Sequence, residues 1–366
     1  MPNALAAELD FRGAQFIAFT EFTSFQRHPA GADGGPQTWT SPETEAGLEW
    51  NELVLSWNVP ASSEVVLEFE ARAIYRDGAT KFYSLGRWSA QFREGQGARQ
   101  SVKHQRDEDG DVHTDTLVLS RPARKFQIRL RCVESAASQS AVGIDSKAAR
   151  PTAGISALKF LGVSLRDDRH APEPSAPNRA AWGRLLDVPE RSQMIYPGGN
   201  VWCSPASVSM VLGFWADRLK QSHLDRTVPD LAREIFDPHW PGTGNWSFNT
   251  AMAGSFPELR AYVTRFSDVS ELEDWIAAGV PVITSVSYGL LKGKSKGDDG
   301  HLVVCVGFTE SGDVIVNDPG TRENVRKVFP RQNLISAWAT SGRTVYLIYP
   351  EKWAPPPNRF HHWASR

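Results

Sequence analysis

The chain has 366 residues, long for a single hydrophobic core, so two domains are expected. Its 41% hydrophobic and 22% charged residues match a soluble globular protein. Its 40 basic and 42 acidic residues leave a net charge of -2, which excludes the basic excess of a nucleic-acid binder. No stretch approaches the ~18 apolar residues of a membrane span. The N-terminal MPNALAAELDFRGAQFIAF lacks a basic region ahead of an apolar run and shows no secretory signal. A soluble protein is expected, extracytoplasmic if a signal has been removed. Three cysteines, Cys132, Cys203 and Cys305, leave at least one unpaired within the chain, which points away from a disulfide framework and toward a single special thiol. Most of the 13 tryptophans are expected in cores, with some left to line a groove for peptide or sugar.

In chain order, Phe11–Phe25 reads as an edge strand and Pro29–Pro42 as loop. From about Leu53 to Asp167 the pattern is strand-like. Val65, Leu67, Phe69, Ala71, Ala73 and Tyr75 alternate with mostly polar neighbours such as Glu64, Glu68, Glu70 and Arg72. Phe126, Ile128, Leu130 and Cys132 alternate with Gln127, Arg129 and Arg131. A period of two over such lengths marks half-buried strands. Lys81–Ala90, Thr114–Ser120 and Ser156–Arg166 add further strands, and the turn-rich Asp107–Asp111 separates two of them. Short strands with turns between them and almost no helical pattern predict a β-sandwich or jelly roll over residues 1–166. Pro172, Pro174 and Pro177 punctuate the aperiodic Asp167–Asn178, and a linker is expected over residues 167–180.

Residues 181–366 mix both periods. Val208, Val211, Leu212, Trp215 and Leu219 follow helical spacing, which predicts a helix over about Pro205–Leu219. A second is expected over Pro229–Phe236, with Pro229 in its first turn. A third starts at Ser270, where Ser270-x-x-Glu273 reads as a capping box. Strands follow at Val280–Val286, His301–Phe308, Asp313–Asn317 and Thr344–Tyr349. Leading helices followed by antiparallel strands make an α+β domain.

Within that domain Cys203 precedes the first helix by one or two residues. Its sulfur then lies against unsatisfied backbone N–H groups and the positive end of the helix dipole, which favours thiolate. The competing reading is a small buried side chain. His301 opens an apolar strand directly after the Gly-, Lys- and Asp-rich Leu291–Gly300, where its ring can face a cleft; a strand-end histidine in solvent is the alternative. Asp318 ends the next strand, after the short turn Glu310–Gly312, which puts both residues at one end of a hairpin. A carboxylate there can hold one imidazole nitrogen while the other faces a thiol; otherwise Asp318 is a turn residue before Pro319. A zinc site of Cys203, His301 and Cys305 fails on reach. His301 and Cys305 are four apart on a strand, roughly 13 Å of backbone, while zinc ligands sit at ~2.0–2.3 Å. No metal or other cofactor is expected.

Three segments carry a resemblance: Gln193 followed by Trp202-Cys203-Ser204-Pro205-Ala206-Ser207-Val208-Ser209-Met210-Val211-Leu212, then Gly300-His301-Leu302-Val303-Val304, then Val316-Asn317-Asp318-Pro319. Over about Leu186–Pro350 the chain resembles the bacteriocin-processing (double-glycine leader) peptidase-like family, a bacterial branch of the papain-like cysteine peptidases. The resemblance implies a papain-like α+β fold and a catalytic set of Cys203, His301 and Asp318. It also implies an oxyanion-hole glutamine, matched by Gln193. The chain departs from the pattern in three ways. Ser204 stands where glycine is common, and Tyr196–Gly199 lengthens the gap from the glutamine to the cysteine, which leaves Asn200 as an alternative oxyanion donor. The chain also has no membrane span or phosphate-binding loop of a fused transporter, so cleavage of a double-glycine leader does not follow.

The expected activity is a cysteine peptidase acting on a peptide or protein substrate. Two other readings stand beside it. One is an amidase or acyltransferase using the same residues on a non-peptide or cell-wall amide. The other is an inactive binding protein acting through a carbohydrate or cell-wall ligand of the β-domain. The Gly293–Gly300 segment, with Lys292, Lys294 and Lys296 nearby, reads as a lid over the cleft or as a solvated loop.

Overall fold

The computed structural model describes residues 9–30, 35–63, 65–92, 99–133, 154–297 and 299–365. The first eight residues, Glu64 and part of the expected loop before Pro42 lie outside the described residues, as does Asp298 in the expected lid.

The first half is a ten-stranded antiparallel sheet. Its strands are Ala14–Phe19 (β1), Gln26–His28 (β2), Thr38–Thr40 (β3), Thr44–Asn58 (β4), Val66–Tyr75 (β5), Gly78–Ala79 (β6), Tyr83–Ser89 (β7), Gly110–His113 (β8), Thr116–Val133 (β9) and Phe160–Arg166 (β10). The order β1-β10-β4-β9-β3-β2 keeps β1 at one edge, while β5 and β8 also pair with β9. Sandwich-like packing comes from β4 and β5, which both pair with β9 and whose Trp57 and Phe69 stack at 4.1 Å.

Three expectations change here. The Pro29–Pro42 stretch is not all loop, because β3 lies within it. The strand expected from about Leu53 begins earlier, at Thr44. Of the expected Thr114–Ser120 strand, Thr116–Ser120 joins Phe126–Cys132 in the single 18-residue β9. The sequence suggests two strands because Pro122 interrupts the alternation. Pro122 is tolerated because the register between β4 and β9 shifts around it, so no ladder hydrogen bond is asked of its nitrogen. The outward glutamates of β5 are buried by cross-strand arginines. Glu70 pairs with Arg129, and Glu68 lies 3.2 Å from Arg87 and 3.4 Å from Arg131.

The second half has the helices Cys203–Leu219 (α1), Val228–Ile235 (α2), Trp246–Ala253 (α3), Val269–Ala277 (α4), Tyr288–Leu291 (α5) and Arg331–Ala339 (α6). Its strands are Leu259–Arg265 (β11), Val282–Ser287 (β12), Gly300–Phe308 (β13), Val314–Asn317 (β14), Arg326–Phe329 (β15) and Thr344–Pro350 (β16). They form one antiparallel sheet in the order β11-β16-β12-β13-β14-β15. The protein is thus α+β, a strand-rich N-terminal region followed by a mixed C-terminal one. Helices do not simply lead the strands, since β11 precedes α4. The cap of α4 is also corrected: Asp268, not Ser270, is the N-cap, and its carboxylate accepts from the Ser270 N–H. Glu271 instead reaches back to the Ser267 N–H.

The helix α1 is buried on every side from Ser204 to Ala216. Its serines are satisfied locally: Ser207 donates to the Leu302 carbonyl and Ser204 pairs with the Tyr346 hydroxyl at 3.0 Å. The two halves meet through β4 and β11. The Asn58 side chain donates to the Ala261 carbonyl at 2.7 Å and accepts from the Ala261 N–H at 3.1 Å. Phe248 of α3 packs 5.5 Å from Trp88 and 6.2 Å from Trp57. Among the described residues no helix is long and apolar enough to cross a membrane.

Candidate active site

Cys203 is the first residue of α1, where backbone N–H groups have no intrahelical acceptor. The helix lies against β13, and the bond from Ser207 to Leu302 fixes its first turn beside His301. The Cys203 thiol and the His301 imidazole face each other closely enough to shift each other's protonation, the thiol down and the imidazole up. His301 Nε2 is 2.8 Å from Asp318 Oδ1, so Nδ1 is the nitrogen left for the thiol. The hairpin of β13 and β14 brings Asp318 to His301, with Val304 opposite Asn317. His301 is 6% exposed and Asp318 fully buried.

The electrostatics follow from these contacts. Burial pushes the Cys203 thiol up, but the His301 hydrogen bond and charge, with the Leu302 and Ser204 backbone, bring it below its ordinary value. Burial disfavours the His301 cation, yet its bonds to Asp318 and Cys203 raise it to about 9. Asp318 would be raised by burial, but His301, Tyr288 and the Gly320 N–H hold its carboxyl low.

Tyr288 is the residue that sequence reasoning missed. Its hydroxyl donates to Asp318 Oδ2 at 2.8 Å, and its ring lies 4.1 Å from that of His301. Its position directly after an apolar strand was the only sequence signal, and that signal is shared by many tyrosines. Gly320 closes the turn, donating to Asp318 Oδ1 at 2.9 Å. A Cβ there would sit 3.0 Å from His301 Cε1, so glycine permits the close approach.

Gln193 is buried, and its N–H donates to the Pro319 carbonyl at 3.0 Å, which puts its backbone one residue from Asp318. The added Tyr196–Gly199 residues fold back on Gln193. A Cβ on Gly199 would lie 1.9 Å from the Gln193 carbonyl oxygen, so only glycine allows that return. The Gln193 Oε1 is buried without a partner. Asn200 is exposed and lines the cleft. The segment after Leu291 folds onto α5, with Asp299 accepting from the Gly289 N–H and Ser287 donating to the Gly297 carbonyl. Among the described residues there is no cluster of His, Cys, Asp and Glu that could hold a metal ion.

Cys203 and His301 open into a cleft of about 630 Å3. One wall belongs to the second half, with Ser285, Trp240 and Trp246; the other comes from the ten-stranded sheet, with Glu52, Asp115 and Arg166.

Residues 185–346 match the profile of the Peptidase C39 like family, and residues 34–150 match that of the peptidase C39 N-terminal domain. Residues 185–346 thus fall in the C39-like peptidase family, preceded by a region like that family's N-terminal domain. A protein described as a C39-like peptidase from Bacillus anthracis is similar at 16% identity, covering 45% of this chain and 96% of its own, with a TM-score of 0.34. A Clostridium thermocellum endo-1,4-beta-D-xylanase with CBM22-1 and GH10 modules, complexed with xylohexaose, is similar at 7% identity over 56% of this chain and 35% of its own, with a TM-score of 0.14. At such scores neither likeness bears on function. No curated protein matches. The family is one of cysteine peptidase type, and it suggests peptide substrates.

Proposed function

We propose that the protein is a cysteine peptidase in which Cys203 is the nucleophile, His301 the acid and base, and Asp318 the residue that orients the histidine. The observation that carries this is the chain of contacts from a helix-start thiol through His301 to a buried carboxylate at 2.8 Å. A lowered thiol beside a raised imidazole favours the thiolate–imidazolium pair at neutral pH.

The Cys203 thiolate attacks the scissile carbonyl carbon, and the C=O electron pair moves onto oxygen. The Cys203 N–H, with Gln193 or Asn200, donates to that oxyanion; one such donor is typically worth about 3–4 kcal/mol. As the C–N bond breaks, His301 gives its proton to the leaving amine, and a thioester remains. Water then gives a proton to His301 and attacks the thioester carbonyl. The C–S bond breaks, releasing an acid and restoring the thiolate. Domain limits of 1–166, 167–180 and 181–366 fit this division of labour, with the β-domain walling the cleft. A carbohydrate or cell-wall ligand of the β-domain is tested by glycan binding to the full chain.

The test is hydrolysis of a peptide library together with iodoacetamide labelling at neutral pH, comparing wild type with Cys203→Ala. The expected result is peptide cleavage that the substitution abolishes, and labelling concentrated at Cys203. A Cys203 no more reactive than a model thiol, with cleavage surviving in Cys203→Ala, would sink the mechanism. Amide or acyl-transfer turnover without peptide cleavage would redirect it to an amidase or acyltransferase.

A further inference from the structure

The cleft ends in a charge cluster that the chemistry at Cys203 does not use. Glu52 of β4 bridges Arg166 of β10, at 3.0 Å, and Arg265 of β11, at 3.0 Å. All three line the same cleft as Cys203 and His301. The two guanidiniums crowd together over Gly342, where a Cβ would meet both groups, at 2.3 Å and 2.8 Å. One carboxylate therefore serves two cations that share a small volume. The Arg265 side chain is only 4% exposed, and its Nε is buried without a partner. Burial and the neighbouring Arg166 charge push Arg265 down to about 10, with Glu52 and Asp115 opposing. Asp115 adds a second negative charge near Arg265, but its oxygens already accept from the Trp246 N–H and the Thr116 hydroxyl, so it does not fill the free donors of the guanidiniums.

Arg166 has capacity to spare. Its side chain is 22% exposed, and among the described residues its Nη1 bond to Glu52 is the only one it makes. A guanidinium carries five donors in a planar fork that matches a carboxylate. Guanidinium donors left unfilled in a partly desolvated cleft are costly unless an acceptor completes them.

We propose that this cluster anchors a carboxylate of the substrate, held mainly by Arg166 across the junction of the two halves. The inference rests on the reading of the cleft as a substrate cleft. It also sets a length. Arg265 ends β11 and His301 opens β13, at the same end of a sheet ordered β11-β16-β12-β13. Three strand spacings of ~4.8 Å separate them by about 14 Å, or roughly four residues of extended peptide at ~3.4 Å each. The preferred substrate is a peptide with an acidic group a few residues from the scissile bond. That group is either a Glu or Asp side chain or the C-terminal carboxylate.

The experiment measures binding, so it does not depend on turnover. Four N-acetylated octapeptides of Ala and Gly carry one internal Glu or Gln and end in a carboxylate or a carboxamide. Each is titrated into the full-length Cys203→Ala protein by isothermal titration calorimetry. The expected result is at least tenfold tighter binding for the acidic member of one pair, and that pair identifies the source of the carboxylate. Arg166→Gln on the same background should reduce the ratio to near one. Glu52→Gln, which frees both guanidiniums, should raise it, so the proposal stays open to test if either variant fails to fold. Equal affinities for acidic and neutral partners, a ratio unmoved by Arg166→Gln, or no binding by any peptide overturns the proposal. A carboxylate preference in binding, with no cleavage by the wild type, would instead defeat only the thiolate mechanism.

Discussion

Cys203 and Cys305 belong to one half of the molecule, yet their surroundings drive them in opposite directions. Cys203 starts a helix, is partly exposed and touches His301. Cys305 lies mid-strand four residues after His301, fully buried, and burial raises its thiol to about 12. Both thiols are penalised by desolvation. Cys305 has only the Gly307 backbone to offset the penalty, whereas Cys203 has the His301 cation as well as the Leu302 and Ser204 backbone. Thiol reactivity in this protein therefore comes from the groups the fold aims at the sulfur and does not follow burial alone.

The largest expected effect separates the two cysteines. Cys203→Ala should lower kcat/KM by about 10⁴-fold or more. Cys305→Ala should leave kcat/KM unchanged and cost on the order of 1 kcal/mol of stability, read by denaturant titration. A reversed order would break the comparison. Asp318→Asn comes next, with a loss of up to about 10⁴-fold in kcat, because an amide neither enforces the productive tautomer nor stabilises the imidazolium. The oxyanion donor is assigned by the pair Gln193→Ala and Asn200→Ala. Whichever residue serves should lose about 10²–10³-fold in kcat, and the other should stay near wild type.

The pH dependence sharpens the contrast further. Iodoacetamide labelling of Cys203 should persist below the ordinary thiol range, and labelling of Cys305 should not be seen in the folded protein. Activity should fall as pH rises through about 9, where His301 loses its proton. The same group sets a stability trend. Its folded value of about 9 lies above the ordinary 6.5, so its contribution is fully present below about 6.5 and lost as pH rises through about 9. Thermal melts across that window check the sign. Tyr288→Phe should give the smallest change, a loss of about tenfold or less in kcat/KM. It should also let the Asp318 carboxyl drift upward, visible as a shifted acid limb of the pH profile.

Much of the local structure was legible from residue spacing. The helix expected over Pro205–Leu219 runs from Cys203 to Leu219, and the strands expected around His301 and Thr344 lie within a residue of their observed ends. Trp246–Ala253 escaped because it is buried on nearly all sides and carries no amphipathic stripe. Leu259–Arg265 escaped because its residues are buried almost throughout, leaving no alternation to read. The α4 cap was misread by two residues because Asp268 and Ser270 are both good cap formers, and sequence alone does not choose between them.

The opposing fates of Cys203 and Cys305 mark the boundary between sequence and fold. By itself the sequence determined which thiol begins a helix, which histidine opens a strand and which aspartate ends the next one, because these are local matters of period, cap and turn. Only the tertiary structure decided what meets at the cleft. Tyr288 on Asp318, and Glu52 between Arg166 and Arg265, join residues far apart in the chain. The first contact depends on how α5 sits over the end of the β13–β14 hairpin and the second on how β4, β10 and β11 pack across the junction, and no local pattern of residues encodes either.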